Sequence, residues 1–214
     1  MIRAVLLDWG GVFNPQHETL HGYHELAKRG GRSAEELYAH LYSGPEWAAA
    51  RIGQMTSREY WSHMQRSLGV AGELDAFLAA VFAGETINPT LVALTRTLRS
   101  RYRIGLLSNA MDDLETALAE RWNVADLFDV VINSARVGVA KPDPRAFALA
   151  LAALECEPAD VLFVDDKLRN IIAAQALHIP SIHYTTAPAL LDELLRRAII
   201  RADEYEELGR GIRG

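Results

Sequence analysis

Asp8, the Ser108-Asn109 pair, Lys141 and the Asp165-Asp166 pair each stand at or soon after a short apolar run. Two kinds of group recur among them: carboxylates that can hold a hard cation, and donors or cations that can hold an oxyanion. Three carboxylates gathered in one place need a cation to neutralise them. Mg²⁺ suits that task because it takes oxygen ligands, keeps several waters and brings a phosphate close to an anionic nucleophile. Asp8 is the natural nucleophile, since it follows the first run and a carboxylate can form an acyl phosphate. Lys141 would neutralise the nucleophile and the transferring group while the Ser108 hydroxyl and nearby amides bind its oxygens, and water would then hydrolyse the intermediate. Each position also has an ordinary use: an Asp after a strand caps a helix, Ser-Asn makes a turn, and Lys-Pro is common in loops. Their joint placement sets them apart.

The apolar runs are Ala4 to Leu7, Ile104 to Leu107, Val130 to Ile132 and Val161 to Val164, with Ser181 to Tyr184 as a fifth. Each reads as a buried strand followed by a loop and helix-like sequence, which implies βα units around a parallel sheet. In such a sheet ligands bind at the carboxyl ends of the strands. Between the first and second runs lie about 90 residues, where a crossover needs only a dozen or so. That excess carries two capping boxes, Ser33-Ala-Glu-Glu36 and Thr56-Ser-Arg-Glu59, each leading into apolar residues at helical spacing. The expected organisation is a core of residues 1–14 and 86–214 with a helical insertion over 15–85. Leu190, Leu191, Leu194, Leu195 and Ala198 form one apolar stripe, so a closing helix covers the sheet.

The 214 residues are 50% hydrophobic and 23% charged, which fits one globular core and excludes disorder, collagen and coiled coil. The net charge of −6 argues against a nonspecific grip on nucleic acid but leaves small phosphorylated molecules open. No apolar run approaches the roughly 18 residues of a membrane span. A single cysteine, Cys156, and a start too short in apolar residues for a signal peptide make a cytoplasmic location the expectation.

Val5-Leu-Leu-Asp8-Trp-Gly-Gly-Val12, Leu106-Leu-Ser108-Asn109, Lys141-Pro-Asp143 and Phe163-Val-Asp165-Asp166 together resemble the four motifs of the haloacid dehalogenase-like hydrolase superfamily, in that family's order. The resemblance covers nearly the whole chain, because the insertion matches the helical cap of one branch. It implies an α/β fold, a Rossmann-like parallel sheet flanked by helices with a small inserted helical cap. It further implies a phosphatase in which Asp8 is nucleophile and metal ligand, Ser108 and Lys141 bind phosphate, and Asp166 holds Mg²⁺. Asp165 is a metal neighbour, the Gly10 carbonyl a further ligand, Asn109 a phosphate or substrate contact and Asn170 a supporting group.

Gly10 departs from the pattern. Phosphatases of the family usually carry a second Asp there, which protonates the leaving oxygen and then activates water; its loss removes about 10²–10⁴-fold of acid–base catalysis. Phosphomutase chemistry becomes unfavourable, and good leaving groups such as anomeric or acyl phosphates become the expected substrates. The Asp-x-Gly-x-Val form is similar to a sugar-1-phosphatase-like branch. Two alternatives stand beside a small-metabolite phosphatase: a dehalogenase, which needs neither Mg²⁺ nor the acidic pair, and a catalytically weak phosphate-binding or regulatory protein. In the insertion, His17-Glu-Thr-Leu-His21 matches the His-Glu-x-x-His pattern of zinc peptidases, with His24 on the same helical face. That match covers five residues, whereas the phosphatase reading accounts for positions from Asp8 to Asn170. His17, Glu18 or His21 could instead face the substrate and partly replace the missing acid. Gly53-Gln-Met-Thr56 resembles the family's interhelical junction in the cap, with Arg51 beside it.

Overall fold

The computed structural model describes residues 1–14, 23–29 and 31–212. Five strands, β1 (Ala4–Leu7), β2 (Arg103–Ser108), β3 (Val130–Asn133), β4 (Val161–Asp165) and β5 (Ser181–His183), form one parallel sheet in the order β3-β2-β1-β4-β5. The fold is α/β and Rossmann-like, as the resemblance implied. β1 is central. Its Leu7 pairs with Leu106 on one side and Val164 on the other, so the carboxyl ends of the three middle strands lie level. The Asp8 N–H continues the ladder by donating to the Val164 carbonyl at 3.0 Å.

Successive strand residues point to opposite faces, and both faces are buried, which is why the strands read as unbroken apolar runs. Val5, Leu7, Ile104, Leu106, Leu162 and Val164 meet one layer of helices: α6 (Pro89–Leu98), α11 (Ala187–Arg196) and α12 (Ala202–Ile212). Ala4, Leu6, Leu107, Ile132 and Phe163 meet the other, α9 (Pro144–Leu154) and α10 (Leu168–Ala176). Asn88 caps α6 through the Thr90 and Leu91 amides, and Asp143 caps α9 through Arg145 N–H.

Among the described residues five helices stand between β1 and α6: α1 (His24–Arg29), α2 (Ala34–Leu41), α3 (Gly44–Ala50), α4 (Ser57–Ser67) and α5 (Leu74–Phe82). Both capping boxes form, Ser33 with Glu36 and Thr56 with Glu59. These helices share an apolar cluster of their own, built on Tyr23, Leu37, Leu41, Tyr60, Trp61 and Phe77, which Met111 joins from the loop after β2. The Ser57 N–H donates to Asp112 at 2.8 Å in that same loop. His17, Glu18 and His21 lie outside the described residues.

Two short helices complete the chain, α7 (Leu114–Thr116), continued by a wider turn over Ala117–Arg121, and α8 (Ser134–Val137). The stripe from Leu190 is α11 and packs on the sheet, but it does not close the fold. Ala198 turns the chain with φ 56°, and α12 follows. α12 offers few large apolar residues, so periodicity alone does not reveal it; Leu208 is buried and Glu204 takes a two-point contact from Arg101 at 2.6 and 2.9 Å.

Gly105 in β2 lies under α9. A Cβ there would come within 2.8 Å of a Leu6 methyl and 3.3 Å of both Leu154 methyls. Gly105→Ala should therefore cost about 1–3 kcal/mol by overpacking and lower Tm by roughly 2–10 °C. A melting curve superimposable on that of the parent chain would contradict this packing.

Candidate active site

Lys141 is the hinge of the site. Its ammonium is buried, donating to Asp8 Oδ1 at 2.7 Å and to Asp165 Oδ2 at 2.7 Å. The loop that carries it is held by Asn109, whose amide donates to the Lys141 carbonyl at 2.8 Å and accepts the Lys141 N–H at 2.8 Å. Asn109, expected to touch phosphate or substrate, thus uses its carbonyl and one N–H to place Lys141.

Asp165 is the last residue of β4 and has no exposed surface. Its carboxylate accepts from Lys141 Nζ, from the Lys167 N–H at 2.7 Å and from Asn170 Nδ2 at 3.0 Å to each oxygen. These donors saturate it, so its geometry suits orienting Lys141 better than ligating a metal. Asp166 differs: Oδ2 pairs with Lys167 Nζ at 2.7 Å, while Oδ1 is buried without a hydrogen-bond partner. Asn170 Oδ1 is likewise buried and unpartnered.

Carboxylate oxygens of Asp8, Asp165 and Asp166 lie within 4.8 Å of one another. Three carboxylates against the ammonium groups of Lys141 and Lys167 leave one negative charge in a largely buried site. A buried charge excess and orphaned oxygens are costly in the protein alone. A hard divalent cation with oxygen ligands would satisfy both, so the residues present fit Mg²⁺. Gly11 completes the cradle. With φ +82°, it brings its backbone so near Asp166 that any Cβ would overlap the carboxylate. Neither Gly11 nor Lys167 was singled out by the sequence; the Gly10-Gly11 pair and the Asp-Asp-Lys run were the available signals.

Burial pushes the Asp8 carboxyl up to about 7; Lys141 pulls it down, and Asp165 and Asp166 add to the rise. Burial also disfavours the Lys141 ammonium, but Asp8 and Asp165 offset this and hold it above its ordinary value. Around these groups opens a cleft of about 330 Å³ that Ser108, Gly10, Asn109, Asn170 and Arg51 also line. Ser108, the final residue of β2, is buried beside Asp8 at the same rim. The arrangement presents the Asp8 carboxylate, a buried ammonium and an acidic cluster to one cavity.

The profile of the haloacid dehalogenase-like hydrolases matches residues 2–178. The chain belongs to that family, and its site is of the phosphatase type. It is 26% identical over 200 residues to a sesquiterpene phosphatase of Aspergillus oryzae, covering 90% of this chain and 94% of that one. It is 31% identical over 151 residues to the phosphoserine phosphatase of Thermus thermophilus, covering 67% of this chain and 60% of the relative. In fold it is similar to a haloacid-dehalogenase-family enzyme of Bacteroides thetaiotaomicron crystallised with magnesium and inorganic phosphate, with TM-score 0.71, 22% identity, and coverage of 86% of this chain and 95% of that one. No helix among the described residues is long and apolar enough to cross a membrane.

The Asp8 shift sets a pH dependence. A carboxyl whose folded pKa is raised contributes stability that is complete below its unfolded value near 3.8 and is lost as pH rises through about 7. Without divalent metal, Asp8→Asn should melt higher than the parent chain at pH 8, with the gap closing toward pH 4. A gap of constant size across that range, measured by calorimetry in chelator, would show that the Asp8 carboxyl is not strained by its surroundings.

Proposed function

We propose that the protein is a Mg²⁺-dependent phosphatase that hydrolyses a small phosphorylated metabolite through a phosphoryl group carried on Asp8. The observation that carries this reading is the Lys141 ammonium held at 2.7 Å from Asp8, beside an acidic cluster with an orphaned oxygen on Asp166. Asp8, Asp166 and the Gly10 carbonyl would hold the metal, while Asp165, saturated by its own donors, fixes Lys141. That the Bacteroides enzyme of similar fold was crystallised with magnesium and inorganic phosphate supports magnesium as the ion. Bound there, Mg²⁺ supplies charge neutralisation between the carboxylates and an incoming phosphate.

In the first step an Asp8 carboxylate oxygen attacks phosphorus and the P–O bond to the alcohol breaks, the alcohol oxygen leaving with the electron pair. Lys141 sits against the nucleophile and balances charge on the transferring group, and Ser108 lies where its hydroxyl can donate to a phosphoryl oxygen. In the second step water attacks phosphorus, the Asp8–phosphorus bond breaks, and inorganic phosphate and the carboxylate are restored. Residues 15–85 act as the cap over this cleft. The first motif points toward sugar phosphates, aldose 1-phosphates first, and the named relatives act on unlike alcohols.

The Asp8→Asn chain should release phosphate from p-nitrophenyl phosphate with Mg²⁺ at least 10³-fold more slowly than the parent. Equal rates, or none from either, would favour a protein that binds phosphate without turnover, and release of halide from a haloacid would favour the dehalogenase alternative. Space for an acid is open at Gly10, where an added Cβ would meet no atom within 4 Å. Gly10→Asp should raise turnover of alkyl phosphates, whose leaving oxygens need a proton, by about 10²-fold. Its effect on p-nitrophenyl phosphate should be much smaller; a uniform gain or loss across leaving groups would mean that proton transfer is not what Gly10 lacks.

A further inference from the structure

Away from Asp8 the cleft is walled by rings. Tyr38 and Tyr42 around α2, Trp47 on α3, Trp61 on α4 and Phe82 at the end of α5 all line it, and Trp122 faces them from the core. The rings brace one another edge to face: Tyr42 with Trp47 at 5.3 Å and 88°, and Trp61 with Phe82 at 5.3 Å and 86°. Such contacts hold aromatic side chains in defined positions, so the wall is formed before a ligand arrives. Tyr38 lines the same cleft as Asp8, Asp166 and Lys167, so the wall is continuous with the acidic end.

The polar groups of this wall are largely engaged with each other. Arg121 lies 4.0 Å over the Phe82 ring and 5.2 Å from that of Trp122, and pairs at 3.2 Å with Glu85. The Tyr42 hydroxyl lies 3.2 Å from that of Tyr23. Two lining residues keep buried N–H groups without an acceptor, Arg51 at Nε and Trp61 at Nε1. Those two N–H groups call for an accepting oxygen on the body, whereas the hydroxyls of a polyol set against the described ring faces would lose water without gaining partners, and each buried polar group left unpaired weakens binding. A hydrocarbon or aromatic body with at most an accepting oxygen fits. Gly10 adds an independent constraint: with no acid at that position, the oxygen joining body to phosphate must leave readily without a proton.

Building on the phosphatase reading of Asp8, we propose that the substrate is a phosphate ester of a bulky, apolar, hydroxyl-poor body joined through an oxygen of low basicity, such as a phenol. The phosphate sits against Asp8 and Lys141, and the body occupies the aromatic chamber between the cap helices and Trp122. This departs from the sugar phosphate that the first motif alone indicates.

The test holds leaving-group basicity nearly constant while apolar size grows: phenyl, 4-methylphenyl and 4-butylphenyl phosphate, with glucose 1-phosphate as the polar comparison. Each added CH₂ buried in the chamber should raise kcat/KM about two- to fourfold, giving about 8- to 60-fold from 4-methylphenyl to 4-butylphenyl phosphate, which differ by three CH₂ groups. Glucose 1-phosphate should fall at least tenfold below the latter. Trp47→Ala should flatten the gradient and Trp47→Phe restore most of it. In parallel, phenylphosphonate and 4-butylphenylphosphonate, which cannot be hydrolysed, are titrated into the parent protein with Mg²⁺ by calorimetry, where the butyl compound should bind at least tenfold tighter. Turnover without a gradient in either series overturns the apolar chamber and leaves the phosphatase standing. A binding gradient with no ester hydrolysed supports the chamber and removes the phosphatase. Absence of both turnover and binding overturns the two together.

Discussion

A buried ammonium between two buried carboxylates is the constraint on which the rest of the site depends. Lys141 can remain charged inside the protein only because Asp8 and Asp165 face it, each at 2.7 Å. Removing an ammonium and carboxylates from water costs several kcal/mol per ion, and good geometry with further hydrogen bonds is needed to offset it. Those further bonds are present: Asn170 and the Lys167 amide complete Asp165, and Asn109 clamps the Lys141 main chain from both sides. Replacing Asn170 would leave the buried Asp165 charge short of a partner, and replacing Asn109 would free the main chain that places Lys141.

The sheet exists around this triad in a specific way. β1 is flanked by β2 and β4, so the ends of the strands carrying Asp8, Ser108 and Asp165 are neighbours in space although nearly 160 residues span them. Their carbonyl ends lie level because the parallel register pairs Leu7 with Leu106 and with Val164. Chemistry placed on a rim of this kind needs no movement of the core. It leaves the inserted helices to shape the rest of the cavity, through an apolar cluster largely separate from the two that flank the sheet.

The division of labour between the two adjacent aspartates shows how environment separates identical side chains. Asp165 ends a strand, meets saturating donors and has no exposed surface; Asp166, one residue on in the bend after β4, lies against Gly11 and keeps an oxygen unpartnered. Their different partners put one carboxylate to positioning and leave the other with an oxygen open to a cation. Gly10 and Gly11 divide in the same manner. Gly11 is required because its backbone touches Asp166, whereas Gly10 faces open space and could carry a side chain.

Much was legible from the residues themselves. Apolar runs buried on both faces announce a parallel sheet, capping boxes announce the inserted helices, and the polar residues ending those runs mark the rim, because each of these signals acts over a few neighbouring residues. Partnership is different. Nothing local distinguishes Asp165 from Asp166, tells Asn109 to grip the Lys141 main chain, or reveals α12, whose docking rests on Leu208 and an Arg101–Glu204 contact across about 100 residues. The aromatic wall is likewise invisible in the linear order, since its rings come from separate helices whose facing directions are set by packing. The sequence by itself determined which groups were available and where along each strand or helix they would stand. Only the tertiary structure decided which of them met, because pairing, desolvation and cavity shape depend on distances that chain order does not contain.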